Sequence, residues 1–265
     1  MNTTTTFLPA DGTDNTRMTA ARLAGAYLQE ARTECLRYLR SPGFVLPTML
    51  FPATFYLMFA VVLGMGRAND GARFLLGTYS VFGVMAPALF GFGVSLALER
   101  HNGLLTLKRA LPMPPAAYLL GKMVMAMLMA LVIVALLQSL AVFVAGVRLS
   151  PQQVLRLTAT CTLGALPFCA LGLLLGTVVK GEAAPAVVNL VYLPMALLSG
   201  LWFPLSAMPP LLRSLAPVWP SHHLNMLAQS AVGFDGGSAG PHVAWLAVFT
   251  VVVTALAAWR LRRMG

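Results

Sequence analysis

The chain has 265 residues, of which 58% are hydrophobic and only 10% charged, against about 25% charged in an ordinary soluble domain. Its formal net charge of +10 could suggest a nucleic-acid partner. The cations instead flank apolar runs rather than forming one patch interleaved with aromatics, which excludes that class. With a mean hydropathy of +0.78, the composition is that of an all-α, polytopic membrane protein.

Residues 1–16 are rich in Thr and lack both a basic start and an apolar segment, so they read as a disordered tail and not as a signal peptide. Residues 17–40 are too polar to span. Leu23, Tyr27, Ala31, Cys35 and Tyr38 recur there at spacings of three and four, which predicts an amphipathic helix lying along the membrane surface. Ser41-Pro42-Gly43 then breaks the helix and turns the chain into the bilayer.

Six runs free of Asp, Glu, Lys and Arg follow: Ser41–Gly66, Phe74–Leu98, Met123–Val147, Leu157–Val179, Ala183–Leu212 and Gly236–Trp259. Each reaches the roughly 20 residues needed to cross a hydrocarbon core of about 30 Å. Charge is confined between them because an ionised side chain at the bilayer centre costs at least about 2.5 kcal/mol.

The loops alternate in charge. Arg17, Arg22, Arg32, Arg37, Arg40, Arg100, Lys108, Arg109, Lys122, Lys180, Arg260, Arg262 and Arg263 fall on one side of a six-span chain. Only Arg67, Arg73, Arg148, Arg156 and Arg213 fall on the other. The excess of cations on the first side predicts that both termini are cytoplasmic.

From within the fifth run to just before the sixth, Trp202–Phe234 is apolar but broken by Pro204, Pro209, Pro210, Pro217 and Pro220. Proline at that density predicts short helices that dip into the outer leaflet and return, since one long helix is impossible there. Pro47, Pro52, Pro87, Pro167 and Pro194 fall inside spans and predict kinks, and Gly172 and Gly176 predict close helix contact.

Recognisable catalytic patterns are missing. Lys122 and Lys180 lack the glycines and the Ser or Thr of a phosphate-binding loop, so this chain is not expected to hydrolyse ATP by itself. No acid or third histidine stands near His222-His223 in the sequence, so no metal site is expected there. Cys35, Cys161 and Cys169 have no metal-ligand spacing and read as small packing residues.

Two segments carry more specific information. The inner loop runs Glu99-Arg-His-Asn-Gly-Leu-Leu-Thr-Leu-Lys-Arg-Ala-Leu-Pro-Met-Pro-Pro-Ala-Ala-Tyr-Leu-Leu-Gly-Lys122, and the second is Leu198-Ser-Gly-Leu-Trp-Phe-Pro-Leu-Ser-Ala-Met-Pro-Pro210. Together, in this order and at these positions, they resemble the loop after span two and the stretch after span five of ATP-binding-cassette type-2 permeases. These are the transmembrane subunits of bacterial exporters for drugs, lipids and polysaccharides.

The resemblance implies a division into a tail (1–16), a cytoplasmic connecting helix (17–40) and a six-span permease domain (41–265). A coupling loop at 99–122 and an outer re-entrant segment at 202–234 belong to that domain. It further implies a bacterial inner-membrane protein that carries no cofactor and does no catalysis. It would pair with a second permease chain, as a homodimer, and with two copies of an ATPase subunit that holds ATP and Mg.

In that scheme Glu99, Gly103, Leu104, Leu105, Leu107, Lys108 and Arg109 would dock on the ATPase. Phe55, Tyr56, Phe59, Met85, Asn189, Tyr192, Met195 and Ser199 are candidates to line the substrate path. Trp202, Phe203, Pro204 and Trp219 would form an outer gate. The expected cargo is hydrophobic or amphipathic, drug-like or lipid-like. A polysaccharide or glycolipid exporter of the same family, a passive or ion-coupled carrier without an ATPase, and a membrane enzyme or scaffold are the alternatives.

Overall fold

The computed structural model describes residues 20–64, 69–104 and 115–263. Among them helices are the only regular secondary structure, and six are long and apolar enough to cross a membrane. The tail and Leu105, Leu107, Lys108 and Arg109 lie outside the described residues. The face that carries the N-terminal helix is called proximal below and the opposite face distal.

The N-terminal helix (Ala20–Leu39) ends where Ser41 and Pro42 start span 1 (Pro42–Val62). Proline at the first helical position needs no N–H partner and so serves as a start. This helix packs on the proximal end of span 3. The reason is Glu34, which shares the face of Cys35 and Tyr38 and is buried against a basic residue of that span.

Span 2 (Asp70–His101) is the axis of the molecule, with 83% of its most apolar window buried. Tyr79, Phe82, Met85, Leu89 and Phe92 form the centre of the core along it. Pro87 removes one intrahelical hydrogen bond, and a π-helical turn follows at Leu89–Val94.

Span 3 (Ala117–Phe143) and span 4 (Pro151–Val178) flank it. Without a hydrophobic gradient inside lipid, contact between helices depends on how closely their backbones approach. A Cβ on Gly93 would lie 2.9 Å from the carbonyl oxygen of Gly172, and one on Gly176 would lie 2.8 Å from that of Gly93. The close approach expected at Gly172 and Gly176 is therefore real, and Gly93 is its other half.

Span 4 is two helices, Pro151–Leu163 and Leu166–Val178, separated at Gly164–Ala165. Ser150 and Gln153 cap the first reciprocally, so the helix begins inside what the charge pattern marked as a loop. Span 5 is Gly181–Leu198, and span 6 (Ala239–Leu261) has only 17% of its most apolar window buried.

Between spans 5 and 6 the prolines do divide the chain as expected. Short helical pieces occur at Leu205–Ala207, Pro210–Leu215 and Ala216–Val218, followed by a distal helix at Pro220–Ala231.

Candidate functional site

Among the described residues, buried charge concentrates where the N-terminal helix, span 2 and span 3 meet on the proximal side. Helical spacing builds it. Glu34 and Arg37 are three apart on the N-terminal helix, while Ser95–Glu99 and Tyr118–Lys122 are each four apart, so every pair shares a face.

Lys122 has a side chain that is 0% exposed, and its ammonium donates to Glu34 Oε2 at 2.9 Å, Glu99 Oε1 at 3.1 Å and Ser95 Oγ at 2.8 Å. Those three acceptors use all three of its protons. Arg37 pairs with Glu99 and, at 3.2 Å, with Glu34. Tyr118 donates to the other Glu99 oxygen at 2.5 Å.

Two carboxylates thus face two cations, and the cluster is neutral as a whole. Burial acts against the Arg37 charge, but the Glu34 and Glu99 carboxylates more than offset it and raise the guanidinium above its ordinary value. A buried ion pair adds little net stability but is very costly to break. The cluster therefore fixes the three helices in one register.

One residue further on, Arg100 donates to the carbonyls of Thr177 and, at 2.8 Å, Val179, which end span 4 without intrahelical partners. Gly103 then takes a left-handed φ of +73°, and Leu104 is 42% exposed at the start of the loop. Of the residues expected to dock on an ATPase, Glu99 thus lies in the buried cluster and not on the surface. Only Gly103 and Leu104 of the others are described.

The expected path residues separate into two groups. Tyr56, Met85, Met195 and Ser199 are fully buried inside the chain. Ser199 is hydrogen-bonded to Ser221 of the distal helix. Asn189 is exposed on span 5.

Phe55, Phe59 and Tyr192 join an aromatic seam between spans 1, 2 and 5. Phe55 packs at 4.5 Å on Phe51, Phe59 stacks at 6.1 Å on Tyr79, and Tyr192 stacks at 5.2 Å on Phe82. Trp202 meets Phe82 edge-on at 6.0 Å, which ties the expected gate to the same seam. Phe203 and Pro204 are exposed and Trp219 is half-buried. A cavity of about 210 Å³ opens beside the seam, lined in part by Phe44, Phe51, Phe90 and Tyr192.

At its distal end span 2 is held by uncharged groups. Gln229 donates to the Phe74 carbonyl at 3.0 Å and to Thr78 Oγ1 at 2.8 Å. His223 Nδ1 lies 2.8 Å from His242 Nδ1, so a third histidine is present in space although the sequence around His222-His223 shows none. Among the described residues no group of three His, Cys, Asp or Glu side chains could hold a metal ion.

Sequence reasoning missed Glu34, Arg37, Ser95, Tyr118 and Lys122 as one cluster, and Phe51, Tyr79 and Phe82 as the backbone of the seam. The signal for the first was present: Glu34 interrupts the apolar face of an otherwise amphipathic helix.

Comparison with known proteins agrees with this architecture. The family model for the ABC-2 type transporter matches residues 27–232. A Bacillus subtilis (strain 168) protein named "Putative transport permease YvfS" is 29% identical over 212 residues, covering 79% of this chain and 86% of that one.

Proposed function

The chain belongs to the ABC-2 type transporter family, and on that premise we propose that it is the permease subunit of an exporter driven by a separate ATPase. The family assigns it a transport role and, in general, an ATPase partner. We further propose two permease copies with two ATPase copies, ATP and Mg being held by the latter. The proximal face is cytoplasmic in this reading, since thirteen of the 18 Lys and Arg residues fall on that side.

The observation that carries the proposal is the buried cluster at Glu99. The segment Glu99–Arg109 leads directly out of it, so force applied there by an ATPase would reach the N-terminal helix and span 3 through Glu34, Arg37 and Lys122. It would also reach span 4 through Arg100. Interactions of this kind transmit motion because packed cores move between discrete arrangements rather than deforming smoothly.

In this scheme ATP closes the ATPase dimer, the two proximal loops move together, and spans 1, 2 and 5 open a path to the distal side. The aromatic seam favours a hydrophobic or amphipathic cargo. Leu105→Asp combined with Leu107→Asp tests the docking step by adding charge to the apolar knobs of the loop. ATPase turnover stimulated by this chain should be lost while the protein stays monodisperse and folded. Unchanged turnover would overturn the assignment.

A further inference from the structure

A second cavity lies away from the seam and the charge cluster. It is an apolar groove of about 630 Å³, three times the volume of the cavity beside the seam. Thr160, Leu163 and Pro167 of span 4 form one wall, and Val243, Ala247 and Val251 of span 6 form the other. Leu224 and Leu227 of the distal helix contribute to its floor.

Its origin is the break in span 4. A Cβ on Gly164 would lie 2.2 Å from Leu224 Cδ1, so glycine there lets the distal helix press in beneath the interrupted span. Span 6 then bridges over small side chains, Ala239 and Ala247, and a gap is left between the two spans.

Three observations identify what fills it. The rim is exposed and apolar: Leu163 is 58% exposed, Val243 53% and Val251 68%. The groove extends along span 6 from Ala239 at its distal end to Val251. The twelve helical rises between them, at 1.5 Å each, make about 18 Å, close to one leaflet of a hydrocarbon core about 30 Å thick.

The third observation is Arg156. It lies one turn distal to Thr160, on the face that also carries Leu163 and Pro167, and it is exposed. It makes no hydrogen bond or ion pair with another described residue. A cation at the mouth of an apolar, leaflet-deep slot complements a phosphodiester above an acyl chain.

We propose that this groove binds one phospholipid of the distal leaflet, with an acyl chain between spans 4 and 6 and the phosphate on Arg156. The lipid completes the packing of the distal helix, whose Leu224 and Leu227 would otherwise border a void. The site requires only the membrane-spanning fold and is independent of any ATP-driven step.

The test uses the full chain in phospholipid nanodiscs doped with a phosphatidylglycerol that carries a diazirine midway along one acyl chain. After illumination, adducts should concentrate on the peptides containing Thr160–Pro167 and Val243–Val251. They should exceed severalfold those on the exposed Leu128–Val132 stretch of span 3. Ala247→Phe should remove that excess by filling the slot. Ala159→Leu, on the opposite wall, serves the same purpose if the first variant does not fold.

Arg156→Gln should reduce the adducts severalfold at limiting probe. Labelling spread evenly over all spans would overturn the proposal. So would an excess that both wall variants leave unchanged. Cross-linking of two copies through Leu163→Cys, with no lipid adduct in the groove, would overturn it in favour of a second chain as the occupant.

Discussion

Lys122→Met is the most informative single change. It removes one cation from a site where Glu34 is 3% exposed and Glu99 5% by side chain, and leaves two carboxylates facing Arg37 alone. Arg37 is 43% exposed and already shared between both acids, so one buried negative charge loses its partner. Breaking a buried pair in this way costs about 3–5 kcal/mol. On the calibration for soluble domains this is a fall in Tm of about 10 °C.

The measurement is monodispersity by size-exclusion chromatography after graded heating of the detergent-solubilised chain. Lys122→Met combined with Glu34→Gln restores neutrality, with Glu99 still facing Arg37 and Tyr118. It should recover at least about 1.5 kcal/mol of the loss. If the two changes simply add, the groups do not act as one charge-balanced unit, and the cluster cannot transmit motion as described.

Two other expectations follow from the packing and from the histidines. Gly172→Val should lower Tm by several degrees, because its Cβ would meet the Ala88 carbonyl oxygen at 2.9 Å and push spans 2 and 4 apart. Gly25→Ala, in an exposed helical position with nothing within 4 Å, should raise it slightly. His222 is held down to about 4 by burial and by the nearby His223 and His242, and its Nδ1 is buried without a partner.

Because the folded value is depressed below the ordinary 6.5, the unfolded chain binds the proton first. Stability should be greatest above pH 6.5 and fall towards pH 4. His222→Gln should flatten that part of a Tm-against-pH curve. A wild-type curve that is already flat between pH 7 and 4.5 would show that the imidazole is not held neutral by its surroundings.

The spans were legible because the bilayer penalises charge so heavily that six uncharged runs are a physical signature, and proline divides Trp202–Phe234 just as strictly. The proximal cluster was not legible as a unit. Glu34 and Lys122 are 88 residues apart, and periodicity tells which face a residue occupies but not which helix it meets.

Gly172 and Gly176 were readable as small residues suited to close contact, yet their partner Gly93 lies on another span. His242 was missed beside His223 for the same reason. Met85 and Met195 were read as path candidates because they lie on spans two and five, which the resemblance sets along the path. Both are fully buried between spans of the same chain.

The central claim is that this chain passes on work done by a separate ATPase. The most direct measurement is affinity purification of the chain from native membranes in mild detergent, with mass spectrometry of the co-purifying proteins and ATP-hydrolysis assays of the complex. The account predicts a stoichiometric ATPase carrying a phosphate-binding loop, whose turnover changes when Lys122 is replaced by Met. A chain that purifies folded, without any ATPase, and still transports after reconstitution would contradict it.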